Sequence, residues 1–197
     1  MAILFLPMAA HQVMPWANGG GTTAEVAIHP PGASVAARDF DWRISMAHVG
    51  GDGPFSALPG FDRSLTLIEG QGMILDAGTE GCFTLAEPYD QALFPGDWAI
   101  TARLRGGPID DLNVMTRRGA FSAQIEILTL LDRGGIETAP TTVLVGLEGR
   151  VSVAGGPDLG PRDAALIEER AGGWLSLSGN GMVAVIRLLP VAAPLHV

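Results

Sequence analysis

All twelve basic residues of this chain are arginine and none is lysine, and several of them stand in short blocks with aromatic and amide neighbours. The blocks are Phe40-Asp41-Trp42-Arg43-Ile44-Ser45, Pro59-Gly60-Phe61-Asp62-Arg63 and Asn113-Val114-Met115-Thr116-Arg117-Arg118. A guanidinium is a planar fork of fixed charge that matches a carboxylate in two parallel hydrogen bonds, so these blocks point to recognition of a small anion. The lack of lysine excludes chemistry through a lysine Schiff base and a lysine on a nucleotide phosphate. Upstream lies Met14-Pro15-Trp16-Ala17-Asn18-Gly19-Gly20-Gly21-Thr22-Thr23. Three successive glycines lose much backbone entropy on folding, so this run implies a positive φ or a close backbone approach beside a site.

Strand alternation turns the blocks into faces. In Trp42 to Val49, Arg43, Ser45 and Ala47 share one face, opposite Trp42, Ile44 and Met46. In Asn113 to Arg117, Asn113, Met115 and Arg117 share a face opposite Val114 and Thr116. The candidate ligand-binding set is Trp16, Asn18, Gly19, Gly20, Arg43, Ser45, Asp62, Arg63, Asn113, Met115 and Arg117. In this set the arginines hold a carboxylate, Asn18 reads an amide or formyl group beside it, and the glycines let backbone N–H groups approach. The competing structural reading ties Arg43 and Arg63 into ion pairs with carboxylates such as Asp41 and Asp62, leaves Arg38 and Arg118 solvated, and places Trp42, Trp98 and Trp174 in the core.

Other chemistries are thinly represented. The histidines, His11, His29, His48 and His196, lack the close spacing of a metal site, so no metal and no cofactor is expected. His48 lies on the Trp42 face, away from Arg43. The pairs Asp110-Asp111 and Glu168-Glu169 point their side chains to opposite faces of a strand and read as turn or surface charge rather than as an acid–base dyad. Cys82 is the only cysteine, so no intrachain disulfide forms and a reducing, cytoplasmic setting fits. A net charge of −9 without a basic cluster argues against nucleic acid and against an anionic membrane. The opening Ala2-Ile3-Leu4-Phe5-Leu6 is too short for a membrane span and reads as a first strand.

The elements that must position these residues are strands. Twenty-seven glycines and fourteen prolines punctuate a chain in which no segment keeps a helical period for long. Strands are predicted over 22–28, 42–49, 64–68, 72–76, 98–104, 111–117 and 121–131. A second set covers 141–147, 150–154, 163–168, 174–178 and 182–188. Leu65-Thr66-Leu67-Ile68-Glu69-Gly70-Gln71-Gly72 is echoed by Val143-Leu144-Val145-Gly146-Leu147-Glu148-Gly149-Arg150, each read as strand, Glu-Gly turn and strand. The expected architecture is all-β, with a first cupin-like barrel in 1–120 that bears the pocket and a second, reduced one in 121–197; strands exchanged between the halves are compatible with this division.

Taken together, Pro15-Trp16-x-Asn18-Gly19-Gly20-Gly21-x-Thr23, Phe40 to Ala47, Asp52-Gly53-Pro54-Phe55-Ser56 with Pro59 to Arg63, and Asp111-x-Asn113-Val114-Met115-x-Arg117-Arg118-Gly119 resemble the HutD/Ves family of bicupin proteins associated with bacterial histidine utilisation. The resemblance implies a cytoplasmic, metal-free bicupin that binds a small carboxylate-bearing metabolite of histidine breakdown, such as N-formylglutamate, urocanate or formate, in a regulatory role. The second half then serves as a structural or dimerising barrel. The alternatives are a metal-independent enzyme on a small organic acid, with Asp62 or His48 as base, and an interaction protein with a vestigial pocket.

Overall fold

A computed structural model describes residues 1–169 and 173–192; His196 lies outside them. The chain is all-β, and the only helical segments among the described residues are single 3₁₀ turns at Met8–Ala10 and Gly78–Glu80. Among the described residues no helix is long and apolar enough to cross a membrane. Two compact units are present, Gln12–Ala120 and Met1–His11 with Phe121–Val197. The division departs from a cut at residue 120 alone because β1 (Ala2–Leu6) pairs antiparallel with a strand of the second half, Ala2 opposite Glu168 and Leu6 opposite Ala164.

The unit of residues 12–120 is a sandwich. Its larger sheet holds β2 (Gln12–Pro15), β3 (Gly21–His29), β4 (Trp42–Val49), β6 (Phe61–Glu69), β9 (Gln91–Pro95) and β11 (Ile109–Arg117), in the order β2-β3-β4-β11-β6-β9. Its smaller sheet holds β5 (Gly53–Pro54), β7 (Met73–Asp76), β8 (Cys82–Leu85) and β10 (Thr101–Leu104), in the order β5-β10-β7-β8. Every pairing is antiparallel. The apolar alternates of the two sheets meet between them: Val49, Leu65, Leu67, Phe94 and Ile109 from the larger, Met73, Leu75, Leu85 and Ala102 from the smaller. Face-to-face burial of this kind is what two half-apolar sheets require of each other. Neither sheet closes into a barrel.

The other unit is built from one bent sheet. The strands β12 (Phe121–Glu137), β13 (Thr141–Val153), β14 (Asp158–Leu159), β15 (Ala164–Glu168) and β16 (Trp174–Pro190) join β1 in the order β1-β15-β13-β16-β12, with β14 on β13. Residues from both ends of β13 and β16, Leu144 with Val151 and Val153, and Leu175 and Leu177 with Val183 and Val185, belong to one core, so the sheet folds over its own apolar face.

Here the structure corrects the predicted repeat. Glu69-Gly70 does turn the chain from β6 to β7, but Glu148-Gly149 lies within β13, where the register against β16 shifts between Gly146 and Glu148. A bulge bends a strand without ending it, which is why predicted segments 141–147 and 150–154 are one strand. Segments 174–178 and 182–188 likewise merge into β16, and Trp174, expected in the core, is 67% exposed.

Candidate functional site

The register of the larger sheet lays its inner face out in rows. Thr23, Ala47, Asp111 and Leu67 stand side by side across β3, β4, β11 and β6. The next row is Glu25, Ser45, Asn113 and Leu65, and the one beyond it is Ile28, Arg43, Met115 and Arg63, continuing to Phe94 on β9. Seven polar side chains thus form a continuous patch: Thr23, Glu25, Arg43, Ser45, Arg63, Asp111 and Asn113. On the same face Val49 and Ile109 extend into the apolar core to one side. Met115 packs with Phe40, Leu58 and Phe61 to the other.

Within the patch some groups are tied and others are not. Arg43 Nε donates to Glu25 Oε2 at 2.7 Å and Arg43 Nη1 to Ser45 Oγ at 3.3 Å. The Arg63 guanidinium lies over two rings, 5.1 Å from the centroid of Phe55 and 5.4 Å from that of Phe94. Its Nη1 donates to the Ser56 carbonyl at 3.3 Å, while its Nε is buried without a hydrogen-bond partner. Asp111 is only 1% exposed, and neither of its carboxylate oxygens has a hydrogen-bond partner; the same holds for Asn113 Oδ1. Each unmade bond of a buried polar group is worth about 1–3 kcal/mol, so this patch is poised to gain from a polar partner.

Burial also moves the protonation equilibria. Desolvation pushes the Asp111 carboxyl up to about 7, against the pull of Arg63, with Asp110 adding to the rise. Arg63 is lowered to about 10 by desolvation, with Asp111 opposing the shift and Arg43 adding to it. A cleft lined by Trp16, Asn18, Gly20, Val49, Asp52, Pro54 and Phe55 meets this face at Val49, and none of the seven polar side chains is in its lining. Trp16 Nε1 donates to Thr23 Oγ1 at 2.8 Å, and Phe55 carries Arg63 over its ring.

The glycine run is the hairpin between β2 and β3. Gly19 takes φ +70° there, and a Cβ on Gly21 would strike the His48 carbonyl and the Trp16 ring, so both the positive φ and the close approach occur. Asn18 Oδ1 accepts from the Gly20 N–H at 3.0 Å, which fixes the hairpin, and Asn18 is part of the cleft lining.

The sequence-predicted set therefore divides. Arg43, Ser45, Arg63, Asn113 and Met115 share the inner face, and Trp16, Asn18 and Gly20 line the cleft, with Gly19 at the hairpin tip. Arg117 is drawn away, donating to Asp41 Oδ1 at 3.1 Å and to the carbonyls of Arg38 and Phe40. Asp62 belongs to the opposite face, where it accepts from Arg118 at 2.8 Å; Arg118, expected to be solvated, also donates to Asp97 at 2.7 Å. Two residues were missed. Asp111, read as surface charge, is buried because it alternates with Asn113, and Glu25, not Asp41, is the partner of Arg43. Strand alternation already contained the first of these. His48 lies on the outer face with Nδ1 2.7 Å from Asp110 Oδ1. Among the described residues no three His, Cys, Asp or Glu side chains gather as a metal site would require.

Comparison with known proteins places this geometry in context. The family model for HutD matches residues 8–185. Protein Ves from Citrobacter koseri is 38% identical over 127 residues, covering 61% of this chain. The matched part spans 64% of that relative's length. The structure of HutD from Pseudomonas fluorescens SBW25, in a formate condition, superposes with a TM-score of 0.83 at 30% identity over 97% of this chain and all of that one. PA5104 from Pseudomonas aeruginosa PAO1, a conserved protein of unknown function, gives 0.84 at 26% identity over 95% and 99%. Protein Ylba from E. coli, at 10% identity and a TM-score of 0.71, shares the cupin-like fold alone.

Proposed function

The chain belongs to the HutD family, and on that premise we propose that the inner face of the residue 12–120 sandwich binds a small carboxylate-bearing metabolite of histidine breakdown, as a sensor in the regulation of histidine utilisation. The observation that carries this reading is Arg63, a buried guanidinium that lies over the rings of Phe55 and Phe94 and whose Nε is unpartnered. Arg43, held in place by Glu25, adds a second positive charge on the same face. A hydrogen bond to a charged group is worth about 1.5–3 kcal/mol, enough for one such contact to fix the orientation of a small acid.

A thermal-shift screen of urocanate, histidine, formate, N-formylglutamate and glutamate tests it. A ligand at a hundred times its dissociation constant adds about 2.7 kcal/mol to stability, and the expected result is such a shift without consumption of the ligand. No shift from any of the five contradicts the reading.

One observation favours an enzyme as the second reading. Asp111 is a buried carboxyl brought near neutrality beside an arginine, as a general acid or base requires. Asp62 and His48 do not share its face. Product analysis of any ligand found in the screen separates the two, because only the enzyme consumes it.

A further inference from the structure

The unpartnered groups on the inner face are unequal in kind. Three are acceptors, Asp111 Oδ1, Asp111 Oδ2 and Asn113 Oδ1, and one is a donor, Arg63 Nε. A carboxylate brings only acceptors. It satisfies Arg63 but leaves Asp111 and Asn113 unpaired, and it sets a second negative charge near the Asp111 carboxylate. We infer that the ligand must also carry an N–H group, which Asp111 and Asn113 of β11 accept while Arg63 holds the carboxylate. The inference rests on the reading of this face as an acid-binding site and narrows the ligand from any small carboxylate to an acid with an imidazole, amide or amine nitrogen.

Charge balance supports it. The charged groups on the same face as Asp111 are Glu25 from β3, Arg43 from β4 and Arg63 from β6; its chain neighbour Asp110, on the opposite face 2.7 Å from His48 Nδ1, adds a negative field, while β7 and β10 of the smaller sheet contribute the apolar Leu75 and Ala102. Arg43 is paired with Glu25. That leaves Arg63 against Asp111, a neutral pair when both are charged. An acid whose N–H meets Asp111 leaves this balance undisturbed. A bare carboxylate binds well only when Asp111 is protonated, and because burial places that carboxyl at about 7, its affinity falls as pH rises through neutrality.

The test is calorimetry of the whole chain with two acids of matched shape, 3-(1H-pyrrol-3-yl)acrylate and 3-(furan-3-yl)acrylate, which differ only in ring N–H against ring oxygen and whose rings do not titrate between pH 6 and pH 8. The wild-type protein at pH 8 is expected to prefer the pyrrole acid by on the order of tenfold or more, the worth of one hydrogen bond to a charged group. At pH 6 the preference shrinks because the furan acid gains. Asp111→Leu removes both acceptors and is expected to bring the two affinities within about twofold. Should that variant fail to fold, the wild-type pair and its pH dependence decide alone. Equal binding of both acids at pH 6 and pH 8 overturns the inference and leaves the acid-binding site standing. Binding of neither acid overturns both.

Discussion

The two units of this chain are both antiparallel β-structures around a buried face, yet they fill that face differently. In residues 12–120 the larger sheet interrupts its apolar rows with Thr23, Glu25, Arg43, Ser45, Arg63, Asp111 and Asn113. In the other unit the core is wholly apolar, from Leu144 and Val151 through Ala165 and Ile167 to Val183 and Val185. Two buried hydroxyls of that unit are satisfied, Thr142 accepting from the Ala139 N–H at 2.8 Å and Thr138 bonded to Gly173 in both directions, and its one unpartnered buried side-chain atom among the described residues is His11 Nδ1. The fold therefore stands without an internal charged patch. Where one is kept with its bonds unmade, it opposes stability, and a polar ligand that made those bonds would offset the cost.

The comparison can be broken most severely by exchanging its terms. Leu144→Asp places a carboxylate in a core with no arginine around it, and burying an unpaired charge costs several kcal/mol at least. Loss of soluble, folded protein is expected by circular dichroism, whereas Asp111→Leu in the other unit is expected to stay folded. Next in size is Arg43→Ala, which leaves Glu25 without its partner. The destabilisation should be about 3 kcal/mol, the low end for a broken buried pair because Glu25 is partly exposed, and denaturant titration measures it.

Asp111→Asn gives a smaller, pH-dependent effect. The folded-state carboxyl sits at about 7, above its ordinary value of 3.8, so between those pH values the folded chain binds more protons than the unfolded one. Wild-type stability from this group is therefore present at low pH and lost as pH rises through 7. The asparagine variant escapes that loss, and its advantage in melting temperature should grow from pH 4 to pH 7 and then level off. The smallest effect belongs to Asp62→Asn. Its ion pair with Arg118 is exposed, so stability should change by less than about 1 kcal/mol and acid binding by nothing measurable.

How much of this was legible in the sequence follows from which contacts are local. Alternation along one strand placed Arg43 with Ser45 and Asn113 with Met115, and both placements hold in the sheet register. The same rule joins Asp111 to Asn113, but adjacency to Asp110 made the pair look like surface charge. Partners chosen across strands were beyond reach. Arg43 meets Glu25 through a β3–β4 register that shifts between Glu25 and Ala27, and no local pattern announces such a bulge. Arg117 had the right parity for the inner face, yet Asp41 and two carbonyls from the segment before β4 capture it. In the second half the glycine at position 149 looked like a turn because a bulge and a turn use the same residue.

On the proposed reading Arg63, on the polar inner face of the residue 12–120 sandwich, holds a carboxylate. The direct measurement is calorimetric titration of urocanate into three proteins: the wild type, Arg63→Met, and Thr142→Val as a buried polar substitution in the other unit. Binding is expected to weaken on the order of tenfold or more in Arg63→Met and to be unchanged in Thr142→Val. Equal affinity in all three would contradict it.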